Sequence, residues 1–248
     1  MSAIYILWLR EVKRYTRSRA QIIASIAQPL LYLLALGFGL GPVFQKAGEG
    51  SYLQFMAPGV IGLSILFTSI FSGIGLLWDR QFGFLKETLV APVPRLSIMI
   101  GKTTGGATVA ILQGLLILVV CLIAGFRPAH VYTLPIALGF MILIAITFAG
   151  LGTVIGSRLQ NMQGFQLMMN FLVMPIYFLS GALYPLTNLP KGLAVITRID
   201  PLTYGIDGLR GAFIGTAHFS TVTSAIVMAM FAGFFLVLGA RAFAKIQI

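Results

Sequence analysis

Six stretches of this chain carry no charged side chain: residues 20–45, 50–78, 103–126, 128–157, 159–190 and 211–240. The shortest has 24 residues and the longest 32, whereas an α-helix needs only ~20 apolar residues to cross ~30 Å of hydrocarbon. No other feature restricts the fold so strongly. The chain is 58% hydrophobic and 9% charged, with a mean hydropathy of +0.96. Those proportions leave too few polar residues to clothe a soluble core of 248 residues. Ten-residue alternating strands are absent, which excludes a membrane barrel. The sequence predicts an all-α integral membrane protein, one transmembrane domain over residues 1–248 with six spanning helices.

The formal net charge of +11 invites a nucleic-acid reading, but the bases are in the wrong places for it. With the N-terminus inside, the inner segments hold twelve bases, among them Arg10, Lys13, Arg14 and Arg17, and the outer loops hold five. This bias places both termini in the cytoplasm and the bases at the lipid headgroup boundary. A nucleic-acid binder would gather them on a soluble face, so no nucleic-acid partner is expected. The first apolar run begins only after Arg19 and is long enough to span, so it reads as a retained helix rather than a cleaved signal. The one cysteine, Cys121, lies inside an apolar run and reads as a small buried residue.

Residues 1–20 have a pattern of their own. Ile4, Trp8, Val12 and Tyr15 share one helical face, with Arg10, Lys13, Arg14 and Arg17 roughly opposite. An apolar face with Trp and Tyr against a basic one describes a helix lying in the membrane interface; the alternative is a plain basic flank. Within the spans, Ser69-xxx-Gly73, Gly101-xxx-Gly105 and Gly152-xxx-Gly156 are small-residue steps that let helix backbones approach. Gln28-Pro29 and Met174-Pro175 should loosen the first and fifth spans.

Absent residues discriminate further. The spans hold no ionisable group at membrane depth, only Gln28, Gln113, Gln166, Asn170 and hydroxyls. Ion-coupled carriers and voltage sensors need such groups. There is no G-x-S-x-G, and His130 and His218 are too far apart in sequence to suggest a metal site. Gly101-Lys102-Thr103 resembles the end of a phosphate-binding loop, but Leu96 stands where its first glycine belongs. No catalytic, metal or cofactor residue is expected on this chain.

One segment breaks the pattern. Between the second and third runs lies RQFGFLKETLVAPVPR, residues 80–95. Phe82, Leu85, Leu89 and Val93 fall at helical spacing, and Pro92 and Pro94 then force an extended exit. A short helix with apolar knobs and charged flanks suits a groove on another protein. By its residues alone it serves equally well as a connector.

The stretch WDRQFGFLKETLVAPVPRLSIMIGK resembles the cytoplasmic loop of type-2 ABC transporter permeases, with their acidic-Arg pair followed by E-x-L-x-x-[SA]-P-x-x-R. FLSGALYPLTNLPKGLAVITRIDPLTYGIDGLRGAF, residues 178–213, is similar to a second signature of that family, and FMAPGVIG, residues 55–62, adds a third match. The likeness is greatest to the daunorubicin-resistance-like multidrug branch. Asp200 stands where Asn is commoner, and either residue caps a helix that Pro201 opens.

The resemblance implies a homodimer with two copies of a separate ATPase subunit, which holds the ATP and Mg. It implies that residues 79–95 form the coupling segment, with Arg80, Phe82, Phe84, Leu85, Lys86, Glu87, Pro92 and Arg95 meeting the ATPase. Residues 184–213 would form re-entrant outer helices, carrying Asp200, Pro201, Tyr204, Asp207 and Arg210. Cargo would pass between the second and fifth spans of the two copies, along Phe67, Phe71, Met168, Phe171, Val173 and Phe178. Core packing explains those six equally well. The expectation is a permease of a prokaryotic inner membrane that exports hydrophobic or amphipathic, drug- or lipid-like compounds. A glycan or lipid-linked glycan exporter of the same superfamily and a passive channel or scaffold are the alternatives.

Overall fold

The computed structural model describes residues 2–46, 51–90, 92–159, 161–187 and 189–246. Among these residues the regular elements are all helices. In chain order they are α1 (Ala3–Arg17), α2 (Arg19–Lys46), α3 (Tyr52–Phe71), α4 (Ile74–Gln81), α5 (Phe84–Val90), α6 (Arg95–Ile123), α7 (Leu134–Arg158), α8 (Met162–Leu179), α9 (Lys191–Ile199), α10 (Pro201–Ile214) and α11 (Thr221–Ala244). Five segments are long and apolar enough to span: Tyr52–Gln81, Arg95–Ile123, Val131–Arg158, Met162–Leu179 and Thr221–Ala244. Counted as one span, the pair Ala3–Arg17 and Ile22–Gly37, bent by 71°, brings the number among the described residues to six. The 28 residues of α2 reach ~42 Å at 1.5 Å per residue, enough to cross alone. Pro29 and Pro175 lie inside α2 and α8, and both helices run on through them.

Two charge-free runs overshoot their helices. The fifth ends at Leu179, before Gly181 turns the chain at a φ of 71°. The sixth starts at Thr221, because residues 211–214 complete α10 and Gly215 caps it in the left-handed region. Lack of charge marks burial in protein as well as in lipid.

α7 is the hub, packed by α11, α3, α6 and α10. Two of the small-residue steps meet here, with Gly73 set against Gly152 and Gly156; a Cβ on Gly152 would lie 2.5 Å from the Ile70 carbonyl oxygen. The third step, Gly101 and Gly105, receives α1. Cβ atoms there would lie 2.9 Å from Leu7 Cβ and 2.8 Å from Glu11 Cβ. Consequently α1 buries Leu7, Glu11 and Tyr15, a face rotated by roughly 60° from the apolar arc of the sequence. Counting apolar residues misplaces that face, because the glycine groove selects side-chain fit and admits the stem of Glu11.

Apolar residues recur every three or four positions from Leu193 to Phe213, and this stripe divides at Asp200. In α10, Leu202, Ile206 and Leu209 are fully buried between α3 and α7, whereas Val195, Ile196 and Ile199 of α9 point away from the bundle.

Candidate functional site

The end of the bundle that holds both termini is built around one buried carboxylate. Asp79, at the foot of α4, accepts from Arg10 of α1 at 2.8 Å and also pairs with Lys102 of α6. The side chains of Asp79 and Lys102 are about 95% withdrawn from solvent, while Arg10 is 37% exposed. Three helices distant in sequence are tied at one point. Lys102, part of a misleading nucleotide-loop echo in the sequence, is therefore half of a buried ion pair. A lysine seven residues inside an apolar helix was the signal that it needs a partner.

From this clamp the chain leaves the bundle. Gly83 turns it at a φ of 82°, a conformation that side chains resist, and α5 follows. Phe82 and Phe84 are 71% and 51% exposed, and Val90, Glu87 and Pro92 are exposed as well. The Arg10 guanidinium lies 5.3 Å from the Phe84 ring centre. The side chains of Leu85, Lys86 and Leu89 lie outside the described residues. Arg80 and Arg95 are tied back to the bundle: Arg80 donates to Leu159 O at 3.3 Å, and Arg95, itself exposed, donates to Ala244 O at 2.6 Å and Ile246 O at 3.1 Å. They brace the segment against the α7–α8 turn and the end of α11.

Beside the clamp, α1, α2, α3, α4 and α6 line a partly open cavity of about 680 Å³. Phe67 and Phe71 stack along its wall with centroids 6.1 Å apart, and Gln28, Ser64, Glu11 and Arg14 also line it. The four α8 residues expected beside them go elsewhere. Met168, Phe171 and Phe178 face outward, with Phe171 81% exposed. Val173 is fully buried on the stripe Phe165, Met169, Val173 and Tyr177, so its place is in the core. Sequence reading missed the cavity, although Ser64, Thr68 and Ser72 recur every four residues along α3 and its C-terminal cap.

At the opposite end, α10 is fastened by its polar residues. Asp207 accepts from the backbone N–H groups of His218 and Phe219, both at 2.8 Å. Arg210 donates to Gly181 O at 3.1 Å and lies 4.0 Å over the Phe55 ring. Tyr204 donates to Arg198 O at 3.0 Å. Asp200 caps α10 through Leu202 N–H at 2.9 Å with Pro201 in the first turn, the arrangement its sequence suggests.

The other carboxylate oxygen of Asp200 is buried without a hydrogen bond. Burial pushes this carboxyl from 3.8 up to about 7, partly offset by the Leu202 N–H. The folded state thus favours the protonated form. Its contribution is complete below pH 3.8 and is lost as pH rises through about 7, a total of about 4 kcal/mol. Asp200→Asn keeps the capping oxygen and cannot ionise. It is expected to raise the thermal midpoint at pH 8 and leave it nearly unchanged at pH 4. Equal gains at both pH values would disprove the buried-acid account.

These features define a multi-pass membrane bundle with a projecting helix at one end and a folded-in helix pair at the other. The chain belongs to the ABC-2 type transporter family, which it matches over residues 2–214. It is 27% identical over 235 residues to the inner membrane transport permease YadH of Escherichia coli K12, covering 92% of this chain and 90% of that one. It is 31% identical over 214 residues to nodulation protein J of Rhizobium leguminosarum bv. trifolii, covering 84% and 80%. A putative transport permease, ycf38 of Cyanophora paradoxa, is 29% identical over 214 residues, covering 84% and 72%. The chain is an inner-membrane transport permease subunit of this family.

Proposed function

We propose that this permease works as a pair, exporting hydrophobic or amphipathic compounds with energy from two copies of a separate ATPase that carries the ATP and Mg. The supporting observation is α5, an exposed helix set on a base that three charges hold rigid. A mobile arm would absorb a push from a partner. An arm clamped to α1 and α6 transmits it into the spans, where inward- and outward-facing packings can exchange. The exposed face of α8, with Met168, Phe171 and Phe178, is offered to the second copy. Both termini and α5 then face the cytoplasm, in line with the excess of bases at that end.

Binding of the purified partner ATPase to sealed vesicles tests both partner and orientation. It is expected on inside-out vesicles alone, with hydrolysis rising when permease is present. Binding to right-side-out vesicles would reverse the orientation. Export by the permease without any ATPase would return the passive-channel reading, and stimulation by lipid-linked glycans alone would favour the glycan exporter.

A further inference from the structure

The cavity lined by α1, α2, α3, α4 and α6 has a chemistry distinct from a path between α3 and α8. Its volume of about 680 Å³ lies within the ~300–1,000 Å³ typical of small-molecule sites. One part is apolar, with Leu63, Val109 and the stacked Phe67 and Phe71. The other is polar, with Ser18, Ser25, Gln28 and the pair formed by Glu11 and Arg14. That pair is closed on itself, Arg14 donating to Glu11 at 2.5 Å. The other bases nearby, Arg10 and Lys102, are both turned onto Asp79 and line no part of this cavity. The pair has no net charge, so the cavity holds no uncompensated charge for a charged guest, whereas the remaining donors of Arg14 and the amide of Gln28 can meet an uncharged hydroxyl or amide head.

We propose that this cavity is a binding site for an uncharged amphipathic molecule, its hydrogen-bonding head at Glu11, Arg14 and Gln28 and its apolar body against Phe67 and Phe71. The proposal refines the transport reading and rests on it. The cavity is lined in part by α1, the helix that also carries Arg10 and Arg14, and on this proposal its guest arrives from the adjoining leaflet. Ser64 and Thr68 offer hydroxyls along the wall; Ser64 already donates to Ile61 O at 2.8 Å and so keeps only acceptor capacity. Ser64 therefore suits a donor on the guest, and Arg14 an acceptor.

Three single-chain lipids with the same photoreactive diazirine tail test this on the purified full chain in micelles: a monoacylglycerol, a lysophosphatidic acid and a sphingosine. The monoacylglycerol is expected to label residues 18–29 and 63–78 about tenfold more than either charged lipid. Glu11→Gln frees Arg14 and should shift preference to lysophosphatidic acid; Arg14→Gln frees Glu11 and should shift it to sphingosine. Thr68→Trp fills the space and should cut labelling about tenfold. If that variant fails to fold, the two charge variants, which add no bulk, decide. Equal labelling by all three lipids, labelling concentrated on α8, or a disulfide from Thr68→Cys to a second copy in a Cys121→Ala background overturns the site. Because no ATPase takes part, loss of labelling with partner binding intact removes the site alone and leaves the permease reading standing.

Discussion

Asp79→Ala is expected to lower the stability of the permease by about 3–5 kcal/mol, the cost of stranding one partner of a buried ion pair. The reason lies with Lys102, whose side chain is only 6% exposed and would be left charged in an apolar helix bundle. Arg10, being 37% exposed, can turn to solvent, so Arg10→Ala should cost ~1 kcal/mol or less. The double change Asp79→Asn with Lys102→Met removes the buried charge from both sides and is expected to recover most of the loss. Thermal midpoints in detergent, read by size exclusion of the tagged chain, distinguish these outcomes. A double variant no more stable than Asp79→Ala would show that the clamp acts through shape and not through charge.

The recovered double variant would then separate stability from transmission. It restores packing at the foot of α4 but leaves Arg10 without its carboxylate. If α5 works as a rigid arm, this chain should be stable, should bind the ATPase, and should still couple poorly. Coupling at the native rate would place the rigidity of the arm elsewhere, in Arg80 and Arg95 with their carbonyl partners.

How much of this was legible depends on what each residue must satisfy. Span positions could be read, apart from the overshoot of the fifth and sixth runs, because a full crossing of lipid disfavours charge. Asp200 and Pro201 could be read because a helix start exposes N–H groups that only a few side chains satisfy. The buried face of α1 could not, since it is set by the groove at Gly101 and Gly105 on a helix about ninety residues away in sequence. The cavity was hidden for a related reason. Its walls come from five helices, and the periodic hydroxyls of α3 do not reveal which neighbour they face. The burial of Val173 could not be read because α8 presents one stripe to the core and another outward, and composition does not distinguish them.

Phe82→Ala is expected to weaken ATPase binding about ten- to hundredfold, as loss of a buried phenyl contact worth roughly 1.5–3 kcal/mol implies. Phe82 is the cleaner probe of α5, being 71% exposed. Phe84 also sits under the Arg10 guanidinium, so Phe84→Ala disturbs the clamp as well as the docking face. Adding Glu87→Ala to Phe82→Ala removes a candidate charge-assisted bond to the partner and should deepen the defect without changing the midpoint of the permease, because Glu87 is exposed. Phe171→Ala, on the outward face of α8, should behave in the opposite way, leaving the ATPase bound and altering assembly of the pair or the range of compounds that stimulate it. Surface-resonance titration of immobilised permease with the ATPase gives the affinity, and hydrolysis in vesicles gives the coupling. Native affinity in the Phe82 variant would mean that α5 merely connects α4 to α6, and the partner would then have to grip the bundle at another place.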